Sequence, residues 1–419
     1  MSPEIKGLIL VSAIKLIVVF TITLVGVALL TLMERKVSAW MQYRHGPNRV
    51  GFAGLLQPAA DGVKNIIKEE TLPGEANRVL FMLAPTLAFI PALMLGAVIP
   101  WAAPLPVKFD FTLPLLGRFH YDALMPMAVA DLPVGFLFVL AISSMGVYGI
   151  ALAGWSSNSK YSLLGGLRAS AQMISYEVAM GLSLVPVLML SGNVALGEII
   201  KSQQLGLWYI FPLFISFFVF LISGFAETNR LPFDMPEAES ELIAGYHTEY
   251  SAMKFSMFFI AEYANMVTVS AMVTVLFFGG WSIPGVSLDA AHPGLIATLA
   301  PGPLASLLTA VCMFLKVFCW LFFFMWIRWT LPRFRYDQLM ALGWKVLLPI
   351  ALAFVMVVAV GVYVAENVAG MTSPRLVMGV LFLINLGLGY LVFIVLDRGT
   401  LIGGPQSRKP AERNLPRAA

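Results

Sequence analysis

Long apolar runs, each bounded by polar or turn-forming residues, dominate the chain. They cover 7–33, 79–102, 125–154, 166–191, 208–226, 252–279, 304–330, 344–366 and 375–396. A helix needs roughly 20 apolar residues to cross a bilayer, so the pattern predicts about nine transmembrane helices. The third run contains Asp131, Pro133 and several glycines, which predicts a kink there. The first run is much longer than the roughly 7–15 apolar residues of a signal peptide and lacks a small-residue cleavage site. It reads as a retained span. Two further segments are amphipathic. Residues 55–68 set Leu55, Ala59, Val63 and Ile66 at helical spacing against Asp61, Lys64 and Lys68. Residues 236–245 are too short to span and too acidic for a core. Both are expected at the interface or folded against the bundle.

Composition strengthens that reading. Hydrophobic residues make up 59% of the 419 and charged residues 12%, against about 25% charged in a soluble domain. The fold class is therefore an all-α polytopic membrane protein with short amphipathic interfacial helices. Cys312 and Cys319 sit seven apart on one apolar run, roughly 10 Å along a helix. That separation is too great for a disulfide, and both are expected as buried apolar thiols. Iron–sulfur clusters take about four thiolates, so this chain should hold none. His45, His120, His247 and His292 are scattered without ligand spacing, and no metal site is expected.

Lys and Arg distribute asymmetrically. The loops and helix ends after the odd-numbered runs, with the C-terminal tail, carry 20, and those after the even-numbered runs carry 4. The positive-inside bias places the first set in the cytoplasm, with the N-terminus periplasmic and the C-terminus cytoplasmic. All the conspicuous polar blocks fall on that side. The densest is 227–262, which holds Glu227, Asp234, Glu237, Glu239, Glu241, Glu249 and Glu262, seven of the chain's 23 acids. Intramembrane acids are costly and usually line a cavity or a proton path. Asp234 and Glu237 can be explained as a helix cap with its reciprocal acid, but Glu227, Glu239 and Glu241 cannot.

Glu177 and Glu262 lie inside apolar runs, where they serve either as ion pairs tying helices together or as proton carriers. Glu177 stands about a third of the way into its expected helix, roughly 13 Å along it from Arg168. Lys316, near the centre of its run, needs an acid or a cavity, and Asp131 is a further candidate buried acid. Arg35, Lys36, Arg333 and Arg335 are also what interface anchoring predicts.

Five stretches carry a family resemblance: ERKVSAWMQYRHGPNRVG from Glu34, QPAADGVKNIIKE from Gln57, SNSKYSLLGGLRASAQMISYEV from Ser157, LPFDMPEAESELIAGYHTEYSAMKFSMFFIAEY from Leu231 and LPRFRYDQLMALGWK from Leu331. In this order they resemble the quinone-site membrane subunit of respiratory complex I, the H subunit of bacterial proton-pumping NADH:quinone oxidoreductase. The resemblance covers about residues 10–366. It implies an eight-helix core over 1–366, leaving 367–419 as an additional transmembrane helix and a basic cytoplasmic tail.

The resemblance further implies a subunit of the bacterial inner membrane that is not catalytic alone. It would form much of a chamber admitting a lipid quinone, with helix 1, residues 55–68 and helix 6 as walls. Glu34, Arg35, Asp61, Lys64, Glu237, Glu239 and Glu241 would line its polar part. Glu177, Glu227, Glu249 and Glu262 would couple electron transport to proton translocation, with Asp131, Arg168 and Lys316 as structural or path charges. The chain would bind no cofactor itself; quinone is substrate, and FMN and iron–sulfur clusters belong to partner subunits. Other complex I subunits and membrane lipids are the expected partners, and nucleic acid is not. Two other readings are a membrane subunit of an energy-converting hydrogenase and a stand-alone ion-coupled transporter. The full quinone-side motif set argues against the first, and the lack of paired interrupted helices in the two halves argues against the second.

Overall fold

The computed structural model describes residues 3–113, 117–235, 245–287, 297–298, 300, 302–368, 370 and 373–397. In chain order the principal helices are α1 (Pro3–Met41), α2 (Gln57–Ile67), α3 (Arg78–Leu95), α4 (Gly135–Ser156), α5 (Lys160–Ser191), α6 (Leu196–Leu205) and α7 (Phe214–Glu227). They are followed by α8 (Ala252–Phe277), α9 (Pro303–Thr330), α10 (Tyr336–Asn367) and α11 (Pro374–Asp397). Among the described residues, eight helices are long and apolar enough to cross a membrane, and α7, with 14 residues, is a ninth, shorter apolar helix. The protein is an all-α polytopic membrane protein.

Local sequence sets the helix ends. Asn77 caps α3 by accepting the Leu80 N–H at 3.3 Å, and α5 stops on Gly192 in the left-handed conformation. Pro85, Pro91 and Pro186 lie inside helices, where neighbouring helices can satisfy the freed carbonyls. Gly154 of α4 meets Gly166 of α5 so closely that a Cβ on Gly154 would strike backbone. Small residues draw membrane helices together in this way.

α8 is the axis of the bundle. Of its most apolar window 78% is buried, against 17% for α1 at the rim. The apolar face of α1, including Ile14, Ile17, Val18 and Val25, is therefore left for lipid or a neighbouring subunit.

Several expectations are corrected. The third helix does not begin near 125: residues 126–134 are irregular and α4 starts at Gly135. Pro126 and Pro133 explain this, since proline removes a donor and drives the preceding residue out of helix. Asp131 accordingly stands exposed in a loop, not as a buried acid within a kinked helix. α5 begins at Lys160, ahead of the expected start at 166, so Glu177 lies just beyond its middle. The run 208–226 is helical only from Phe214, after a turn that includes Pro212. Cys312 is half-buried, its thiol 3.5 Å from the Ser282 carbonyl, and Cys319 is exposed; both are free rather than fully buried.

The connection between α3 and α4 holds an antiparallel hairpin that the helical reading did not anticipate. Strand β1 (Leu105–Leu113) pairs with β2 (Gly117–Met125), with Leu105 opposite Met125. The period-two signal is visible in hindsight as Val107, Phe109 and Phe111 alternating with Lys108 and Asp110. Phe111 stacks on Phe119 at 5.4 Å between ring centres. Asp110 pairs with Arg118, whose hydrogen bonds hold that carboxyl below its usual range.

Candidate functional site

The motif-bearing stretches converge on one end of the bundle. Tyr176 of α5 donates to the Leu339 carbonyl at 2.9 Å, and the Arg168 guanidinium lies 5.0 Å over the Tyr336 ring. Ser156 at the end of α4 meets the Tyr250 hydroxyl at 3.3 Å. Thr71 bonds Ser251 at 2.9 Å.

At the centre of this end is a buried charge cluster around Glu34, which is 6% exposed. α1 carries Glu34 inward. Its carboxylate accepts hydrogen bonds from Arg328 of α9, from Tyr263 of α8 at 2.5 Å and from Arg230 at 3.5 Å. The Arg230 guanidinium also stacks over the Tyr263 ring at 4.2 Å. Burial alone would disfavour the Arg230 charge, but Tyr263, Glu34 and Glu262 outweigh it and raise its pKa. Glu262 accepts from Tyr246 at 3.3 Å. A paired cluster of this kind is costly to break from one side.

The segment bearing Arg230 is pinned by Gln172 of α5, which donates to the Ala226 and Phe233 carbonyls at 2.8 and 2.7 Å. Asp234 in the same segment pairs with Arg333 at 3.1 Å. Beyond it, Glu227 is 8% exposed and borders a cavity of about 30 Å³ lined also by Ser143, Asn265 and Thr268. That is room for one water molecule. Glu227 faces this space together with Ser143, whose hydroxyl donates to the Leu140 carbonyl at 3.0 Å, and feels the charge of Glu177 on α5. Asn265 lies three residues after Glu262, on the same face of α8.

The structure thus brings Glu34 and Glu262 together around Arg230, and sets Glu177 within electrostatic reach of Glu227, which borders the small cavity. Arg35 points away from Glu34: it pairs with Asp61 of α2 at 2.6 Å, with side chains 51% and 31% exposed. Lys64 is exposed, and α2 buries none of its residues within this chain. Glu249 is half-buried and outside the Glu34 cluster. Glu237, Glu239 and Glu241 lie outside the described residues.

Lys316 is satisfied by backbone, not by an acid or a cavity, among the described residues. Its ammonium donates to the carbonyls of Phe278, Gly280 and Ser282 at 2.8, 2.8 and 2.7 Å and sits 4.6 Å over the Trp208 ring. Gly279 and Gly280 adopt positive φ to aim those carbonyls. The cation therefore rests on the negative end of α8.

Sequence reasoning missed Arg230, Arg328, Tyr263 and Tyr246. Arg328 reads as an interface anchor at the end of an apolar run. The signal for the others was an arginine inside an acidic block, a tyrosine next to Glu262 and another next to His247.

Helices of this length around a buried acid–arginine core define a membrane protein organised about a charged site at one face. The family described as NADH dehydrogenase matches residues 14–359. The chain belongs to that family. It is 52% identical over 355 residues to an H subunit of the NADH-quinone oxidoreductase of Koribacter versatilis, covering 84% of this chain and 96% of the relative. It is 48% identical to the corresponding H subunit of Magnetococcus marinus, over 84% and 92% of the two chains. Against an H subunit of Geobacter sulfurreducens the identity is 49%, over 83% and 93%. The family match ends before α11, which packs on the bundle through Asn385, donating to the Pro212 carbonyl.

Proposed function

We propose that this chain is the H subunit of a bacterial proton-pumping NADH:quinone oxidoreductase, that it forms much of the quinone chamber, and that its buried carboxylates couple quinone reduction to proton translocation. The observation that carries the reading is the Glu34–Arg230–Arg328–Tyr263 cluster, which joins α1, α8 and α9 at the end where the motif-bearing loops meet. Reducing a quinone to a quinol takes two electrons and two protons. Electrons arriving first leave negative charge on the head group, and fixed guanidinium groups beside paired carboxylates respond to such charge. Protonation can then shift from Glu262 through the water-sized space beside Asn265 to Glu227 and Glu177. This is a coupling free energy between two sites, carried by contiguous titratable groups.

Arg35, Asp61 and Lys64, with Glu237, Glu239 and Glu241, line the outer polar part of the chamber in this reading. The exposure of the Arg35–Asp61 pair and of α2 suits a surface completed by another subunit. Partner subunits supply FMN and iron–sulfur clusters, and this chain supplies no redox group. The complex sits in the cytoplasmic membrane with the polar end of this chain facing the cytoplasm.

The test is Arg35→Ala and Asp61→Ala in the assembled complex. Electron transfer from NADH to quinone should fall, while NADH oxidation by an artificial acceptor at the hydrophilic arm is spared. A parallel loss of both activities with assembly intact refutes the placement of these residues at the quinone step.

A further inference from the structure

An apolar cavity of about 470 Å³ lies between α1 and α9, outside the residues assigned above. Along α1 its lining runs from Ile14 to Leu30 and includes Gly26. At 1.5 Å per residue that is about 24 Å, most of the roughly 30 Å hydrocarbon thickness of a bilayer. A volume of about 470 Å³ spread over that length has a mean cross-section of about 20 Å². That is the girth of one extended hydrocarbon chain. The α9 wall, through Phe314, Val317 and Leu321, is wholly apolar.

One end of the cavity is different. Lys15 lines it, donating to the Pro126 and Ala128 carbonyls at 3.2 and 2.8 Å. An ammonium carries three donors, so one remains for an anionic group. Trp101 stands at the same end, a residue type enriched at membrane–water interfaces. The slot thus has a lysine and a tryptophan at one end, with Asp131 within electrostatic reach of the lysine, and an alkyl-shaped body whose length matches most of a bilayer's hydrocarbon.

We propose that this cavity is a binding site for one phospholipid, whose phosphate sits at Lys15 and one of whose acyl chains fills the slot between α1 and α9. The bound chain covers the apolar face that α1, at the rim of the bundle, otherwise leaves open. Its inner end stops at Leu30, one turn before Glu34. The occupant therefore sets how α1 seats against the buried charge cluster. This site does not depend on the quinone reading.

Gly26 offers the perturbation, because a Cβ there meets nothing within 4 Å and a large side chain would enter the open slot. The experiment reconstitutes the assembled complex in nanodiscs of phosphatidylethanolamine containing phosphatidylglycerol with a diazirine near the end of one acyl chain. After photolysis, labelled peptides are mapped by mass spectrometry. In the unmodified protein, label should concentrate on the 14–30 and 310–321 peptides above the level of the bilayer-facing α11. Gly26→Trp should return it to that level, and Lys15→Ala should reduce it. Excess long-tailed quinone should leave it unchanged. Label no higher than on α11 in the unmodified protein overturns the site without any variant having to fold. Displacement by quinone also overturns it, since the slot would then belong to a quinone tail.

Discussion

Replacing Glu34 by Gln removes one charge from the buried cluster while keeping the side chain's shape. Arg328 then loses its carboxylate, and Arg230 loses one of the two carboxylates around it. The Glu34 and Arg230 side chains are each 8% exposed, and Arg328 is 26% exposed. Removing one partner of a buried pair costs about 3–5 kcal/mol, and the partial exposure of Arg328 argues for the lower end. A Gln oxygen can still accept from Tyr263, so the loss is mainly electrostatic. About 3 kcal/mol corresponds to about a hundred-fold in an opening equilibrium. Hydrogen exchange read by mass spectrometry would register this as lost amide protection where α1, α8 and α9 meet, with the opposite end unchanged. A double-mutant cycle with Arg328→Met should return a coupling of about 1–3 kcal/mol. An exposed pair is worth only about 0.2–1 kcal/mol. A protection change of less than about five-fold, with no coupling to Arg328, would mean that Glu34 is solvated and the buried cluster is not what holds these helices.

Glu177→Gln and Glu227→Gln should lower protons pumped per electron in membrane vesicles while leaving the amount of assembled complex nearly unchanged; normal pumping in both variants would exclude an essential role. Lys316→Met removes three charge-assisted bonds to the end of α8 and should destabilise that end by about 2–3 kcal/mol, seen as faster exchange at 278–282 with quinone reduction preserved. Loss of quinone reduction without loss of exchange protection would show Lys316 to be more than a clamp. A reporter fused after Ala419 should report a cytoplasmic C-terminus. A periplasmic signal would overturn either the orientation or the crossing by α11.

The apolar runs alone determined that the chain is a helical membrane protein, and roughly where its helices lie, because bilayer thickness imposes a length and forbids unpaired backbone. The motifs determined the family in the same way, since they are strings of side chains read in order. Boundaries were less legible: Pro126 and Pro133 delayed α4, and the strand alternation of Val107–Phe111 is short beside the long apolar runs on either side of it. Which charges meet was decided only by tertiary packing. Glu34 and Arg35 are neighbours in sequence, yet the twist of α1 sends one into a buried cluster and the other to an exposed pair with Asp61. Lys316 looked like a cation in need of an acid. The structure satisfies it with carbonyls 34 to 38 residues away, because two glycines let the end of α8 turn its backbone towards it. Such partners come from distant parts of the chain, and a one-dimensional pattern records what a residue needs but not which neighbour meets the need.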